Sequence, residues 1–385
     1  MPAPSPVKNL FEYTSRKLPE MISALRRFVV CESPSLEKAA ADRCCGVLAS
    51  EWKKRNVRVE RLARRDRGDL LRITWWPHKS LPQGQLLVLG HYDTVYATGT
   101  LAKMPFRVNG GKAYGPGTFD MKAGIVQALF ALDALQKSGR PVRKRVVFLW
   151  TSDEEIGSEA SRKLIEVEAK RSDAVFVLEP AFGPRGLLKT ERKGVGEAEI
   201  IAFGRASHAG LAPHEGVNAI EELAQQISRV RLWNDLRRGT TIAACIVEGG
   251  TRSNVIPERA RAVLDLRALR ISDMRGLEQR LRRLRPILPG ARLEIRGGFS
   301  RPPLERKISA ALFARAKALA TQLGFALSDC SVGGGSDGNF TAALGVPTLD
   351  GLGAVGDGAH SAHEHVILRI MPARAALLAA LLMNC

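Results

Sequence analysis

His91 and Asp93 stand two positions apart, directly after the apolar run 86–89, which Gly84 and Gly90 bound. A short uninterrupted apolar run between glycines predicts a strand buried on both faces. Residues i and i+2 of an extended segment point to the same side. One imidazole and one carboxylate therefore project together from the carboxyl end of that strand, where open α/β sheets hold their ligands. Alone, the pair would read as a polar turn after a core strand. The arrangement recurs, however: the apolar segment 145–150 runs into Asp153, Glu154 and Glu155, and 172–178 runs into Glu179-Pro180. Three consecutive acids repel one another, so exposure or a cation is needed to keep all of them ionised. Asp120 follows a glycine-rich stretch and leads a long helical pattern, where an acid is often only a cap. His360, His363 and His365 close the series near the C-terminus.

A histidine, two or three Asp/Glu residues and a second, distant histidine form a hard-to-borderline ligand set suited to Zn²⁺ and similar divalent ions. Two such ions about 3.5–4 Å apart can share a bridging carboxylate and water. They lower the water's pKa, and a nearby carboxylate takes its proton during attack on a carbonyl. Adjacent glutamates suit that division of labour, since one can ligate while its neighbour faces the water.

The elements that must position these residues read as strands at 57–62, 69–75, 85–90, 145–150 and 172–178, with helices between them. Pro19 marks the start of a first helix, with Met21, Ile22 and Leu25 as its buried stripe, because proline is tolerated in a first turn but not in an interior. A second helix spans 35–54. Segment 107–118 carries four glycines and a proline and is expected to be a loop that delivers Asp120 to a helix over 121–138. His78, beside Pro77, is given no role. This part is α/β, a doubly wound mixed sheet with acids converging on one edge.

After about residue 190 the texture changes. Strands at 195–204, 241–248, 259–269 and 291–296 alternate with helices after Asn218 and Ser272, a βαββαβ order that predicts an inserted α+β domain. The expected boundaries are 1–191 and 303–385 for the metal-binding catalytic domain and 192–302 for the insert. Helix 306–323, a strand, the loop 331–340 and a final helix 372–383 complete the first domain. Gly333, Gly334 and Gly335 are expected to permit unusual backbone angles.

The 385 residues suffice for two domains, and 45% hydrophobic with 25% charged residues is ordinary for a globular protein. The formal net charge of +19 is not ordinary. Its basic residues are scattered, and aromatics are only 6%. That argues against nucleic acid as partner and for a solvated basic surface that attracts anionic substrates. Six cysteines form no CxxC pair, so reduced, mostly buried thiols in a cytoplasmic protein are expected. The first 30 residues show no signal-peptide core and no stretch has the length of a membrane span, so no membrane partner is expected.

The motifs GHYDTV, GPGTFDMKAG, TSDEEIGS, LEP, GRASHAG, GGTRSNVIPE, GGGSDGNF and GDGAHSAHEHV occur in this order. With that order and spacing the chain resembles the M20 dinuclear zinc metallopeptidases, particularly their glutamate carboxypeptidase-like branch, from about residue 33 to the terminal helix. The resemblance implies two Zn²⁺ per chain, for which Co²⁺ or Mn²⁺ can substitute. Asp120 would bridge the ions, His91 and Glu179 would ligate one, and Glu155 and His360 the other. His363 and His365 are close enough to stand in for His360. Glu154 would be the general base, Asp93 would orient His91, and the Asp120-Met121 peptide would be cis. The inserted domain would be a lid through which the chain forms a homodimer. His208 would reach the partner's site and polarise the scissile carbonyl. Asn254 and Arg267 would hold a substrate carboxylate, Gly334 and Gly335 would line the cleft, and Arg296 or Arg301 would add a contact. His214 would be structural.

The activity so implied is hydrolysis of an amide bond next to a free α-carboxylate, releasing a C-terminal amino acid such as glutamate. The alternatives are an N-acyl-amino-acid deacylase using the same centre, and a metal-free binding scaffold of the same fold. A scaffold would be expected to have lost a ligand or the base, and this chain retains all of them.

Overall fold

The computed structural model of the chain describes residues 6–78 and 81–385. They divide into two units. The first comprises the described residues up to Thr190, with Arg306–Ser331 and Ser336–Cys385; the second comprises Glu191–Glu305 and Val332–Gly335.

The first unit is built on a six-stranded mixed sheet. Its order is Arg58–Leu62, Leu70–Trp75, Arg145–Thr151, Gln85–His91, Ala174–Val177 and Thr348–Leu349. The last four strands are mutually parallel, Leu70–Trp75 pairs antiparallel with Arg145–Thr151, and Arg58–Leu62 pairs antiparallel with Leu70–Trp75. Gln85–His91 lies inside the sheet and is buried along its whole length. Successive side chains leave a strand on opposite faces. Leu86, Val88, Val146, Phe148 and Phe176 accordingly join one core, with Met21 and Leu25, Cys44 and Leu48, Leu129 and Leu132, and Leu377 and Leu378. Leu87, Leu89, Val147, Leu149, Val175 and Val177 join the other, with Ile165, Ala169 and Phe340. The first core is covered by helices Leu18–Val29, Lys38–Lys53, Ala123–Ser138 and Met371–Asn384, the second by Arg162–Lys170 and Gly338–Ala343. Truncating one such leucine to alanine costs about 2–5 kcal/mol.

The second unit is an antiparallel sheet in the order Thr241–Gly249, Arg259–Ala268, Gly194–Phe203 and Arg292–Arg301. Ile200, Ala202, Leu264 and Leu266 pack with Leu223, Leu277 and Leu281 of helices Ala219–Arg231 and Ile271–Arg282. Asn218 caps the first helix, its Oδ1 accepting from the N–H groups of Ile220 and Glu221.

Several expectations need correction. Residues 107–114 are not a loop but a hairpin, Arg107–Asn109 against Lys112–Tyr114. Gly110 and Gly111 turn it with φ of 56° and 74°, a conformation a side chain resists. The long helix begins at Ala123, not 121: Asp120 and Met121 have non-helical dihedrals, and the peptide between them is cis. A helix Pro6–Arg16 precedes the one containing Pro19, and Ile22 is only partly buried. None of Gly333, Gly334 and Gly335 has a positive φ. Val332–Gly335 belongs to the second unit, because Lys193 N–H donates to the Val332 carbonyl and Arg192 Nη1 donates to the carbonyls of Gly334 and Gly335. Of the six cysteines only Cys44 and Cys45 are fully buried, and Cys245 is exposed. Among the described residues no helix is long and apolar enough to cross a membrane.

Candidate metal centre

The strand Gln85–His91 ends by burying His91. Its Nδ1 lies 3.1 Å from the Asp93 carbonyl oxygen and 3.4 Å from Asp93 Oδ1. Both contacts call for a proton on Nδ1, which leaves Nε2 as the free lone pair in the neutral ring. Nε2 stands 3.3 Å from Asp120 Oδ1 and 3.4 Å from Glu179 Oε1. Glu179 comes from the end of the adjacent parallel strand Ala174–Val177.

The other oxygen of Asp120, Oδ2, lies 3.5 Å from His360 Nε2, and Glu155 Oε2 is 3.1 Å from the same nitrogen. Asp120 thus stands between two sets, His91 with Glu179 and Glu155 with His360, and in each set the ligand atoms lie within 4.8 Å of one another. His360 has a φ of 60°, rare outside glycine, and such outliers concentrate at functional sites.

Asp93 joins the two halves. Its carboxylate accepts the N–H groups of Glu154 at 3.3 Å and Glu155 at 3.2 Å, and the Ser35 hydroxyl at 2.7 Å. The turn Glu154–Ile156 that follows strand Arg145–Thr151 is therefore held against His91. Asp153, the first of the three acids, faces away and accepts from the N–H groups of Ala160 and Ser161. Burial pushes its carboxyl up.

The electrostatics of the cluster favour positive charge among its carboxylates. Burial pulls the His91 pKa down, but Asp120, Asp93 and Glu179 together hold it well above the usual imidazole value. Hydrogen bonds that its ring donates to Asp120 and then Glu155 push His360 up to about 10. Burial pushes the Glu155 carboxyl up, against His360. Asp120 is held down despite its burial, by His360 and His91. Protons take the place of a cation here. Asp120 Oδ1 and Glu155 Oε1 are also buried without a hydrogen bond, a costly state that a bound cation relieves. The residues fit a pair of divalent metal ions.

Glu364 went unrecognised in the sequence as a contributor. It is fully buried, and its carboxylate accepts the N–H groups of Gly117 at 3.0 Å, Phe119 at 2.7 Å and Asp120 at 2.9 Å. It holds the segment that aims Asp120. The available signal was the spacing of an acid four residues after His360. Asp337, from GGGSDGNF, accepts the Thr151 hydroxyl at 3.2 Å and that of Ser158, bracing the strand end behind the acids. His363 bonds Ser361 Oγ, and His365 bonds the His363 carbonyl and packs against Tyr114. Neither belongs to the cluster.

The remaining predicted residues lie in the second unit. His208, exposed in the two-residue strand Ser207–His208, accepts the N–H groups of Gly210 and Leu211 on Nδ1, both at 3.1 Å. The Asn254 carbonyl accepts Ala209 N–H, tying its loop to that of His208. Arg267 pairs with Asp265 through Nε and Nη2 at 2.9 and 2.7 Å, while Nη1 reaches the Gly333 carbonyl at 3.4 Å. Arg296 is exposed and bonds Glu294, whereas Arg301 is buried.

The mixed sheet gathers histidines and carboxylates at its strand ends, a constellation suited to metal-dependent hydrolysis. Residues 87–384 match the model of Peptidase family M20/M25/M40, and the chain belongs to that family. It is 35% identical over 306 residues to carboxypeptidase G2 of Pseudomonas sp. (strain RS-16), covering 78% of this chain and 73% of that one. It is 28% identical over 307 residues to a succinyl-diaminopimelate desuccinylase of Burkholderia lata, covering 75% and 80%. The fold matches aminopeptidase PepT of Bacillus cereus with a TM-score of 0.80 at 22% identity, over 95% and 98% of the two chains. It also matches YxeP of Bacillus subtilis, a dinuclear metal-binding M20 peptidase, with a TM-score of 0.69 at 16% identity, over 97% and 98%. The protein is an M20 hydrolase of peptide or amide bonds, from a metal-dependent family.

Proposed function

We propose that this chain is a dizinc hydrolase that cleaves an amide bond next to a free α-carboxylate, releasing a C-terminal amino acid such as glutamate. The observation that carries the reading is Asp120, whose two oxygens lie toward two separate histidine–carboxylate sets. His91, Asp120 and Glu179 would hold one ion, and Asp120, Glu155 and His360 the other. Bound there, zinc supplies Lewis-acid activation of a water at neutral pH.

The chain's own residues do the rest. Asp93 fixes the His91 tautomer and, through the Glu154 N–H, the turn that carries the base. Glu154 takes the proton of the attacking water and passes it to the departing amine nitrogen. Two backbone donors occupy His208 Nδ1, so its neutral ring carries the proton on Nε2 and offers it to the carbonyl oxygen as negative charge develops. Asn254 and Arg267 hold the substrate carboxylate; Asp265 grips one edge of the guanidinium and orients it. Gly334 and Gly335 line the cleft.

The second unit is the lid and the homodimer interface in this reading. Its edge strand Thr241–Gly249 is exposed along most of its length and presents Ile246 and Val247, 50% and 59% exposed, the kind of edge that pairs with a second copy. An N-acyl-amino-acid deacylase on the same centre is the second reading, favoured by the desuccinylase relative. Hydrolysis of dipeptides ending in Glu, N-acyl amino acids and a folate-type glutamate conjugate by the zinc-loaded protein tests both. Preference for peptides or the conjugate supports the first reading, and preference for simple N-acyl amino acids the second.

A further inference from the structure

Within the first unit, a cavity of about 280 Å³ is lined by Pro34, Leu36, Val95, Ala97 and Ile156 and reaches the carboxylate-bearing Glu155. Leu36, Val95 and Ile156 are 70%, 47% and 40% exposed. A single exposed apolar side chain needs no explanation; three around one cavity that borders a metal-ligand candidate mark a place where apolar surface is meant to be covered.

The walls are held in place by the same bonds that build the centre. Ser35 Oγ donates to Asp93, Thr94 N–H to the Ser33 carbonyl, and Ser35 N–H to the Thr94 carbonyl. Such fixed walls reduce the ordering that binding must impose. The lining contains no lysine, arginine or histidine; its charged members are Glu155 and Glu37. Glu37 accepts the Thr98 hydroxyl at 2.7 Å and its N–H at 3.2 Å, which keep its carboxyl ionised. With Glu155 given to a metal ion, a carboxylate placed here would meet Glu37 and no lysine, arginine or histidine. The volume is just under the usual range for ligand pockets, about 300–1,000 Å³, so it suits one compact group.

We infer that this cavity is the acyl-group subsite, and that it selects compact, neutral, apolar acyl groups, aliphatic or aromatic, over anionic ones such as succinyl. The inference rests on the amide-hydrolase reading above. In that reading Arg267 and Asn254 serve the amino acid's carboxylate, and a cavity walled by apolar side chains suits the acyl half. Leu36 and Val95 are its specificity-determining residues.

The test is a series with one leaving group: N-acetyl-, N-isovaleryl-, N-benzoyl- and N-succinyl-L-glutamate, offered to the zinc-loaded protein. The isovaleryl and benzoyl compounds should exceed the acetyl compound in kcat/KM by about tenfold or more, and the succinyl compound should fall below it. Leu36→Asp and Val95→Asp should erase the apolar preference, bringing the isovaleryl and benzoyl compounds down to within about twofold of the acetyl compound in the same variant. A readout independent of turnover is saturation-transfer NMR of N-benzoyl-L-glutamate on the metal-free protein. Its aromatic protons should receive saturation from the native chain and lose it in Leu36→Asp. A flat series, or preference for succinyl, with variants that change nothing, would overturn the subsite while leaving amide hydrolysis standing. No hydrolysis of any member by protein carrying two ions would overturn the glutamate-releasing reading, and absence of the NMR contrast would overturn the subsite.

Discussion

The buried carboxylate of Glu364 accepts the backbone N–H of Asp120 at 2.9 Å, across 244 residues of chain. The bond fixes the peptide unit from which the Asp120 carboxylate projects, and the N–H groups of Gly117 and Phe119 are fixed by the same side chain. Glu364→Ala would strand three donors, each costing about 1–3 kcal/mol when left unmet. Stability should fall by at least about 2–3 kcal/mol in denaturant titrations, and bound metal per chain should fall with it. Glu364→Gln, which keeps one acceptor oxygen, should retain more of both. Full metal content in the alanine variant would show that Asp120 needs no such support.

The apo centre should hold protons that metal must displace. His360 keeps its proton to about 10 because of Asp120 and Glu155, and His91 is raised in the same direction. A folded-state value above the ordinary one of about 6.5 stabilises the metal-free protein in full below that pH. The contribution is lost as pH rises through about 10. Zinc binding near pH 7.5 should therefore release about one proton or more per chain, and fewer as the pH approaches 10. Calorimetric titrations in two buffers of different ionisation enthalpy measure that number; a pH-independent value near zero would contradict it.

Glu154→Ala should abolish turnover, by about a hundredfold or more for a lost general base, yet leave two ions bound. Loss of metal would mean that Glu154 ligates instead.

His208→Ala should cripple catalysis without altering metal content, because it removes a hydrogen-bond donor worth about 10²–10³ in rate. If the histidine serves the partner subunit, mixed dimers of His208→Ala and Glu154→Ala chains should regain part of the activity. No recovery on mixing would place its action within one chain or elsewhere.

Much of the arrangement was legible in the residues themselves. His91, Glu155 and Glu179 follow apolar runs, so the runs announce both the strands and the end at which the acids gather. The two-sided burial of Gln85–His91 follows from its unbroken apolar pattern. What escaped depends on tertiary contact. The role of Glu364 lies in backbone donors far away in sequence, and a buried acid leaves no periodic mark. The 107–114 hairpin has strands of three residues, the first wholly exposed, so no alternation betrays it. The His208 tautomer is set by the N–H groups of Gly210 and Leu211, which composition cannot reveal.

Asp120 and the two ions it would join are the centre of the account, and metal content measured beside hydrolysis on one sample tests it most directly. The purified chain should carry about two zinc ions and cleave glutamate-releasing amides. Chelation should abolish cleavage and zinc should restore it, while Asp120→Asn should lose at least one ion together with all activity. A native chain that binds no metal, or that hydrolyses equally well after chelation or with Asn at position 120, would contradict the account.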